Sequence, residues 1–444
     1  MAERKGGFWR AVFRAERVVG AVVLFVLLGV RLFDPVPVQS VRLGVFDAFQ
    51  RVQPRAIEDS VVTIAAIDEA SMAEFGQWPW PRTVLAALVD RLTDAGAAVI
   101  AFDIFFTEAD RISSDRLTTD IPGLQDTLRA ARAGGTSNDQ ALADAMRRGK
   151  VVLAMLTSRD RPGGSPRARL EQAFAVHARD GVEAAAIKRY LPTSRALVRA
   201  IPVLEEAAAG NGVAAFWRSR RGFIERVPMI VQVADDDKYY SFSMEIVRVF
   251  KGKKFAVWSF GPAGLEFAGV VGVPKIPTDK RGQIWLHFAR EGDIPSVSVR
   301  DVLAGSFDDR LVKDRIVIVG AMAGGLDELY VTPTRRSLYG VQVHAQAVDS
   351  ILSGTALLRA AWVEGGEWAF LLVMGILALV VFPAVAPAWS LALFLAAEAG
   401  FAALSWLLFE SQGMLFDATA PAATVLVLYM VSVVAAALRA PRRS

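Results

Sequence analysis

The chain contains no cysteine. Disulfides, thiolate nucleophiles and cysteine metal sites are therefore excluded. Only three histidines are present, His177, His287 and His344, too few for a multi-histidine metal centre. No long basic tract with interleaved aromatics occurs, and the net charge is only +4, so nucleic-acid binding is not expected. A nucleophile elbow, an HExxH pair and a locally supported Ser-His-Asp set are also missing. No catalytic residue, metal ligand or cofactor site is predicted.

What the sequence has in excess is apolar residues, 53% of its 444 positions, and these concentrate at the two ends. Residues 18–33, VVGAVVLFVLLGVRLF, follow Arg4, Lys5, Arg10, Arg14 and Arg17. A basic region before an apolar core resembles a signal peptide, yet Asp34, Pro35, Val36 and Pro37 follow in place of a small-x-small cleavage site. The run reads as an uncleaved signal anchor behind a basic tail at 1–17. Three more apolar runs are predicted as transmembrane helices at 368–384, 389–409 and 418–438. Trp362, Trp368, Trp389 and Trp406 lie near their ends, as interfacial aromatics do. The tail at 439–444 is basic, and the loop at 410–417 carries only acids. Four spans would place both basic tails in the cytoplasm and the block 34–367 outside. The lipid bilayer is thus an expected partner.

The exported block reads as α/β: a mainly parallel sheet flanked by helices, with an added antiparallel β subregion. SVVTIAAI at 60–67 is an apolar strand. Pro81 suits a helix start, and Val84, Leu85, Leu88 and Leu92 recur at helical spacing until Gly96. AAVIAFDIFF at 97–106 is a second strand, which completes a βαβ unit. Ser137 or Asn138 caps a further helix before the strand VVLAML at 151–156, and RIVIVG at 315–320 is another. Strands this continuously apolar are buried on both faces. Gly, Pro and Ser mark loops at 131–137 and 158–167. The basic segment 160–204 reads as helical, and GVAAFW, RVPMIVQV, YYSFSM, KKFAVWSF and QIWLHF between 212 and 288 read as short strands.

Ligands of open parallel sheets bind beyond the carboxyl ends of the strands. Asp68 and Glu69 follow the first strand, Asp103 ends the second, and Gly320 ends the last, with Asp327 in the loop beyond. With Trp78 and Arg82 from the Trp-Pro corner, and His344 from the helical stretch YGVQVHAQAVDSIL, they are the candidate ligand-binding residues. Simpler roles compete at several positions. An acid after a strand caps the next helix. GAMAGG fits no phosphate-loop pattern. His344 shares its helical face with Ala347, Val348 and Ile351, as an interior histidine would.

The stretch VVTIAAIDEASMAEFGQWPWPRTVLAALVDRLTDAGAAVIAFDIFFTEAD resembles the start of the type-2 CHASE (cyclase/histidine-kinase-associated sensory extracellular) domain. VRLGVFDAFQRVQPR at 41–55, RGFIERVPM at 221–229, SVRDVLAG at 298–305, RIVIVGAMAGGLDELYVTP at 315–333 and YGVQVHAQAVDSILSG at 339–354 extend the likeness over Val41 to Arg359, apart from a poorly matching middle. The resemblance implies a multi-pass protein of the bacterial inner membrane, its sensor in the periplasm. One span would precede the sensor and three follow it, with an unknown extracytoplasmic ligand and a homodimer or a partner signalling protein. Such domains usually feed a nucleotide cyclase or kinase. Only six residues follow Leu438, so the sequence reading is a sensor without its own enzyme. The alternatives are the sensory half of a truncated or split class III cyclase or kinase and, more distantly, an exported metal-dependent hydrolase.

Overall fold

A computed structural model describes residues 2–113, 137–158, 174–178, 190–233, 237–261, 264–290 and 292–439, with side chains from residue 16 onward except those of 174–178 and 439. The expected loops at 131–136 and 159–167, most of the basic segment 160–189 and the tail at 440–444 lie outside the described residues. The chain divides into two units: residues 1–53 with 358–444, and residues 54–357.

The larger unit is α/β. Its main sheet contains seven strands. Strand β1 (Val62–Ile67) leads through α3 (Glu69–Phe75) and α4 (Arg82–Asp94) to β2 (Val99–Phe102), and α5 (Asn138–Arg148) leads to β3 (Val151–Ser158). Strands β6 (Ala196–Val198), β7 (Gly210–Val213), β15 (Ser296–Ser298) and β16 (Ile316–Ala321) complete it. The order is β15-β1-β16-β2-β3, with β6 and β7 both pairing β3. Every pairing is parallel except β3 with β6, so the sheet is mixed.

The two strands of the expected βαβ unit are not neighbours. β16 lies between them, with Ile64 opposite Ile318 on one side and Ile318 opposite Ala101 on the other. Alternate residues of each strand enter opposite cores. Ile64, Ala101, Ile316 and Ile318 pack with helices α7 (Phe242–Phe250) and α9 (Gly340–Ser353), and Ala65, Phe102, Val317 and Val319 pack with α4 and α5. Both faces are apolar because both are covered. A Cβ on Gly320 would lie 2.6 Å from the Cβ of Val341, so this glycine lets α9 approach the strand end.

Smaller sheets complete the unit: β10-β9-β5, β13-β12-β11-β4, β14-β8 and β17-β18. Their strands are β4 (Phe174–Ala178), β5 (Thr193–Ser194), β8 (Arg226–Pro228), β9 (Ile230–Val233), β10 (Asp237–Tyr240), β11 (Ala256–Gly261), β12 (Gly264–Gly269), β13 (Ile276–Pro277), β14 (Gln283–Trp285), β17 (Leu329–Val331) and β18 (Ser337–Tyr339). Two expectations are corrected. Within 160–204 the described residues form β4, β5 and β6 and the start of helix α6 (Pro202–Ala207), in place of one long helix. YYSFSM is strand only as far as Tyr240. Ser241 then caps α7, its Oγ accepting the Met244 N–H at 3.3 Å.

The second unit is helical. Three helices are long and apolar enough to cross a membrane: α10 (Ala361–Val381, extended by a 3-10 turn to Ala384), α11 (Pro387–Gln412) and α12 (Thr419–Arg439). A fourth span results only if α1 (Ala2–Phe33) and α2 (Val36–Val52), bent by 76° against each other, count as one. Trp362 and Trp389 are exposed near the starts of α10 and α11, at positions suited to an interfacial indole. Cβ atoms at Gly20 and Gly375 would meet Leu379 and Leu24. Small residues thus bring α1 and α10 together, as in membrane bundles.

Candidate ligand-binding site

A cavity of about 560 Å³ opens beyond the carboxyl ends of β1, β2 and β16. Its walls include Ile67, Trp78, Trp80, Arg82, Asp103, Ile104, Asp110, Leu326 and Asp327. The Trp-Pro corner makes the aromatic wall. Trp80 is buried, donates its indole N–H to the Gly76 carbonyl at 2.9 Å, and meets Trp78 edge-on with ring centroids 5.3 Å apart. Burying Trp80 holds Trp78 at the cavity surface, half-exposed.

Asp103 continues the sheet by donating its N–H to Val319 at 2.9 Å. Its side chain is 11% exposed. Among the described residues no donor reaches its carboxyl within hydrogen-bond distance. His344 Nε2 lies 4.0 Å from its Oδ1, too far for a hydrogen bond. Burial, reinforced by the neighbouring Asp327, pushes the Asp103 pKa up to about 7.

Asp327 is better provided for. It accepts the Gly340 N–H at 3.0 Å and the Glu328 N–H at 2.8 Å. The first of these bonds places its charge at the N-terminus of α9, where a carboxylate is favoured. A Cβ on Gly340 would lie 3.0 Å from Asp327 Oδ2 and 3.5 Å from Asp103 Oδ2. Both carboxyls therefore crowd the same point, and only glycine leaves it free.

His344 stands behind Asp103. Burial drives its pKa down to about 3, so the imidazole is neutral. Its Nδ1 is 3.0 Å from Ser243 Oγ, and the rings of Phe216 and Phe242 enclose it at 4.4 and 5.0 Å. Tyr330 packs edge-on against Phe216, beneath the Arg218 guanidinium. Burial, with Asp327 and Glu328 nearby, pushes its hydroxyl up to about 12.

Arg82 faces the cavity but is engaged elsewhere. Its guanidinium lies 4.6 Å above the Phe106 ring and 3.5 Å from Asp139 Oδ1. Burial lowers its pKa, although Asp139 and Asp110 act in the opposite sense. Asp110 is buried too, yet the N–H groups of Arg82 and Ile112 and the Asn138 amide hold its carboxyl below the usual range.

Four of the eight candidates thus converge on the cavity wall: Trp78, Arg82, Asp103 and Asp327. His344 supports Asp103 from behind. Gly320 is a packing position, and Asp68 and Glu69 do not line the cavity. Asp68 caps α3: its Oδ1 accepts the Ser71 N–H at 2.9 Å, the Ser71 hydroxyl at 2.7 Å and the Ser298 hydroxyl at 2.9 Å. Burial raises its pKa, but these bonds outweigh that and hold it low. Asp68→Ala is expected to cost about 1–2 kcal/mol, read as a lower thermal midpoint, and to leave ligand binding at the cavity intact. Sequence reasoning missed Gly340, Ser243, Phe216 and Tyr330. Gly340 and Tyr330 lie inside stretches that carried the family likeness, and a glycine immediately before a helical apolar pattern was the available signal.

Among the described residues no group of three or more His, Asp or Glu side chains could hold a metal ion. The family model of the CHASE2 domain matches residues 21–380, most of the chain, and the protein belongs to that family. It is a type-2 CHASE sensor domain protein, and the domain is sensory in kind. No curated protein and no solved structure matches it.

Proposed function

We propose that this protein is a membrane-anchored receptor module that takes up a small ligand at the cavity beyond the sheet and passes the signal to a cyclase or kinase. The observation that carries the binding site is Asp103, a nearly buried carboxyl at the cavity wall with no hydrogen-bond donor among the described residues. Such a group is costly to keep. A ligand that brings it a donor or a positive charge recovers that cost, while Trp78 supplies an aromatic face. The signal then follows if one arrangement of the receptor binds the ligand better than another.

Loop charge supports a topology with both chain ends in the cytoplasm of a bacterial cell and residues 54–357 outside. Reporter fusions after Arg55 and after Ser444 are expected on opposite sides of the inner membrane, and the same side for both would refute this topology.

The site has its own test in pH. The Asp103 pKa is raised in the folded protein, so the folded state holds the proton more tightly than the unfolded one. The associated stability is full below about pH 4 and is lost as pH rises through about 7. Asp103→Asn removes this titration. The variant is expected to match wild type near pH 4 and to unfold at higher temperature than wild type at pH 8. Equal midpoints at pH 8 would mean that Asp103 is solvated and would remove the site. A metabolite screen by thermal shift should then give hits that raise the wild-type midpoint and leave that of Asp103→Asn unmoved.

A further inference from the structure

We propose that α2 is a membrane-interface helix, with its valine face set against lipid acyl chains and its polar face turned into the helical unit. A helix at a water-facing surface buries its apolar stripe and exposes its polar one. In α2 the arrangement is reversed. Arg42, Phe46, Asp47 and Gln50 are buried, whereas Val41 is 61% and Val52 72% exposed. Spacing of four, seven and eleven residues puts Pro37, Val41, Gly44, Val45, Ala48 and Val52 on one stripe, with Pro37, Val41 and Val52 exposed and Gly44, Val45 and Ala48 half-buried. The exposed Arg51, seven residues after Gly44, borders that stripe at its C-terminal end.

The inward polar side is well provided with partners inside the same unit. Arg42 pairs with Asp34 at 2.7 Å and reaches Asp417 at 3.5 Å. The Phe46 ring lies 5.1 Å beneath the Arg359 guanidinium, and Phe49 meets Trp406 and Phe409 at 5.3 Å. The helix is therefore held with its valines outward. In water that orientation would forgo the burial of several apolar side chains.

Continuity identifies the occupant. The exposed face of α1 carries Phe25, Val26, Leu32 and Phe33, the last 85% exposed. This apolar surface runs into α2 and turns through 76° at Asp34 and Pro35. We take α1 as the crossing member of this bent pair, its Arg31 neutralised inside the unit by Glu367 and Asp417, and α2, apolar on its outer side, as the member lying along the bilayer surface. Exposed Arg51 near the α2 C-terminus suits a phosphate headgroup.

The absence of native cysteine makes the test direct. Val41→Cys, and separately Val45→Cys in case the first fails to fold, are labelled with an environment-sensitive fluorophore in the full chain. The protein is placed in vesicles of phosphatidylethanolamine and phosphatidylglycerol. Val22→Cys on α1 is the lipid reference and Arg111→Cys the water reference. Shallow spin-labelled lipid is expected to quench the α2 probe at least about twofold more than the Arg111 probe, with little quenching by aqueous iodide. Iodide quenching equal to that at Arg111 would overturn the proposal. Protection from both quenchers would also overturn it, and disulfide cross-linking between copies would then identify a second chain as the cover. If the Val22 probe also escapes the lipid quencher, membrane insertion fails first, and the lipid setting of α2 falls with it.

Discussion

Glu367→Ala is expected to destabilise the helical unit by about 3–5 kcal/mol, the cost of leaving buried charge uncompensated. Glu367 is 2% exposed. It accepts Arg31 Nη2 at 2.7 Å, Arg359 Nη1 at 2.6 Å and Nη2 at 3.1 Å, and the Asp417 N–H at 2.6 Å. Asp417 in turn pairs with Arg31 at 2.8 Å and with Arg42. With Asp34, three acids face three arginines, so the lattice is neutral as a whole. Removing one acid leaves an excess cation where solvent cannot reach it.

Glu367→Gln keeps an acceptor but not the charge, so its loss should fall between that of Glu367→Ala and wild type. The readout is the unfolding midpoint of the detergent-solubilised protein. The double variant Arg31→Met with Glu367→Met separates charge from packing, because a pair replaced by apolar groups of similar volume often costs little. A double variant no worse than the worse single one reports coupling between the two. A Glu367→Ala midpoint equal to wild type would mean that the lattice is open to water.

The second large effect is expected at Asp349. This residue and Arg55 form a buried ion pair in the α/β unit. Arg55 also donates to the His287 carbonyl at 3.0 Å and to Thr355 Oγ1 at 3.1 Å, while Asp349 accepts the Ser60 hydroxyl at 2.8 Å. The pair ties the segment before β1 to α9 across the length of the sequence. Asp349→Ala leaves a guanidinium buried without its counter-ion, at a cost of about 3–5 kcal/mol. Denaturant unfolding followed by tryptophan fluorescence should show a lower midpoint with an unchanged slope. A loss below about 1 kcal/mol would place the pair among solvent-screened surface bridges.

The parts of the fold that a local window defines were legible. Val62–Ile67, the helix through Leu85, Leu88 and Leu92, Val151–Leu156 and Ile316–Gly320 stand where apolar runs and period-3.6 spacing put them. Their uninterrupted apolarity also announced parallel pairing, since both faces had to be covered. The insertion of β16 between β1 and β2 was not legible, because any two apolar strands of similar length can pair. The stretch YYSFSM looked like strand from its aromatics, yet Ser241 supplies a cap and the following apolar residues pack as a helix. In 160–204 the arginines signalled exposure, which strand and helix satisfy equally.

The site was legible as a place rather than as a set of contacts. Strand-end positions brought Asp103, Asp327 and Trp78 together, as the sheet geometry requires. Whether an acid faces the cavity or caps a helix depends on donors distant in sequence. Ser298 engages Asp68, and among the described residues no comparable donor engages Asp103. The reversed polarity of α2 was hidden in part for the same reason: besides the nearby Asp34, Arg42 reaches Asp417, at the far end of the chain.

The position of β16 also governs the order in which the protein can be built. As the chain is synthesised it emerges gradually, and β1, α4 and β2 appear early. They cannot close against each other, because a strand-wide gap separates them, roughly two spacings of 4.8 Å from axis to axis. Both strands keep open edges until residue 316 arrives. Such long-range pairing is slow, and open edges invite pairing with other chains. Truncations that end before β16 should therefore aggregate rather than fold.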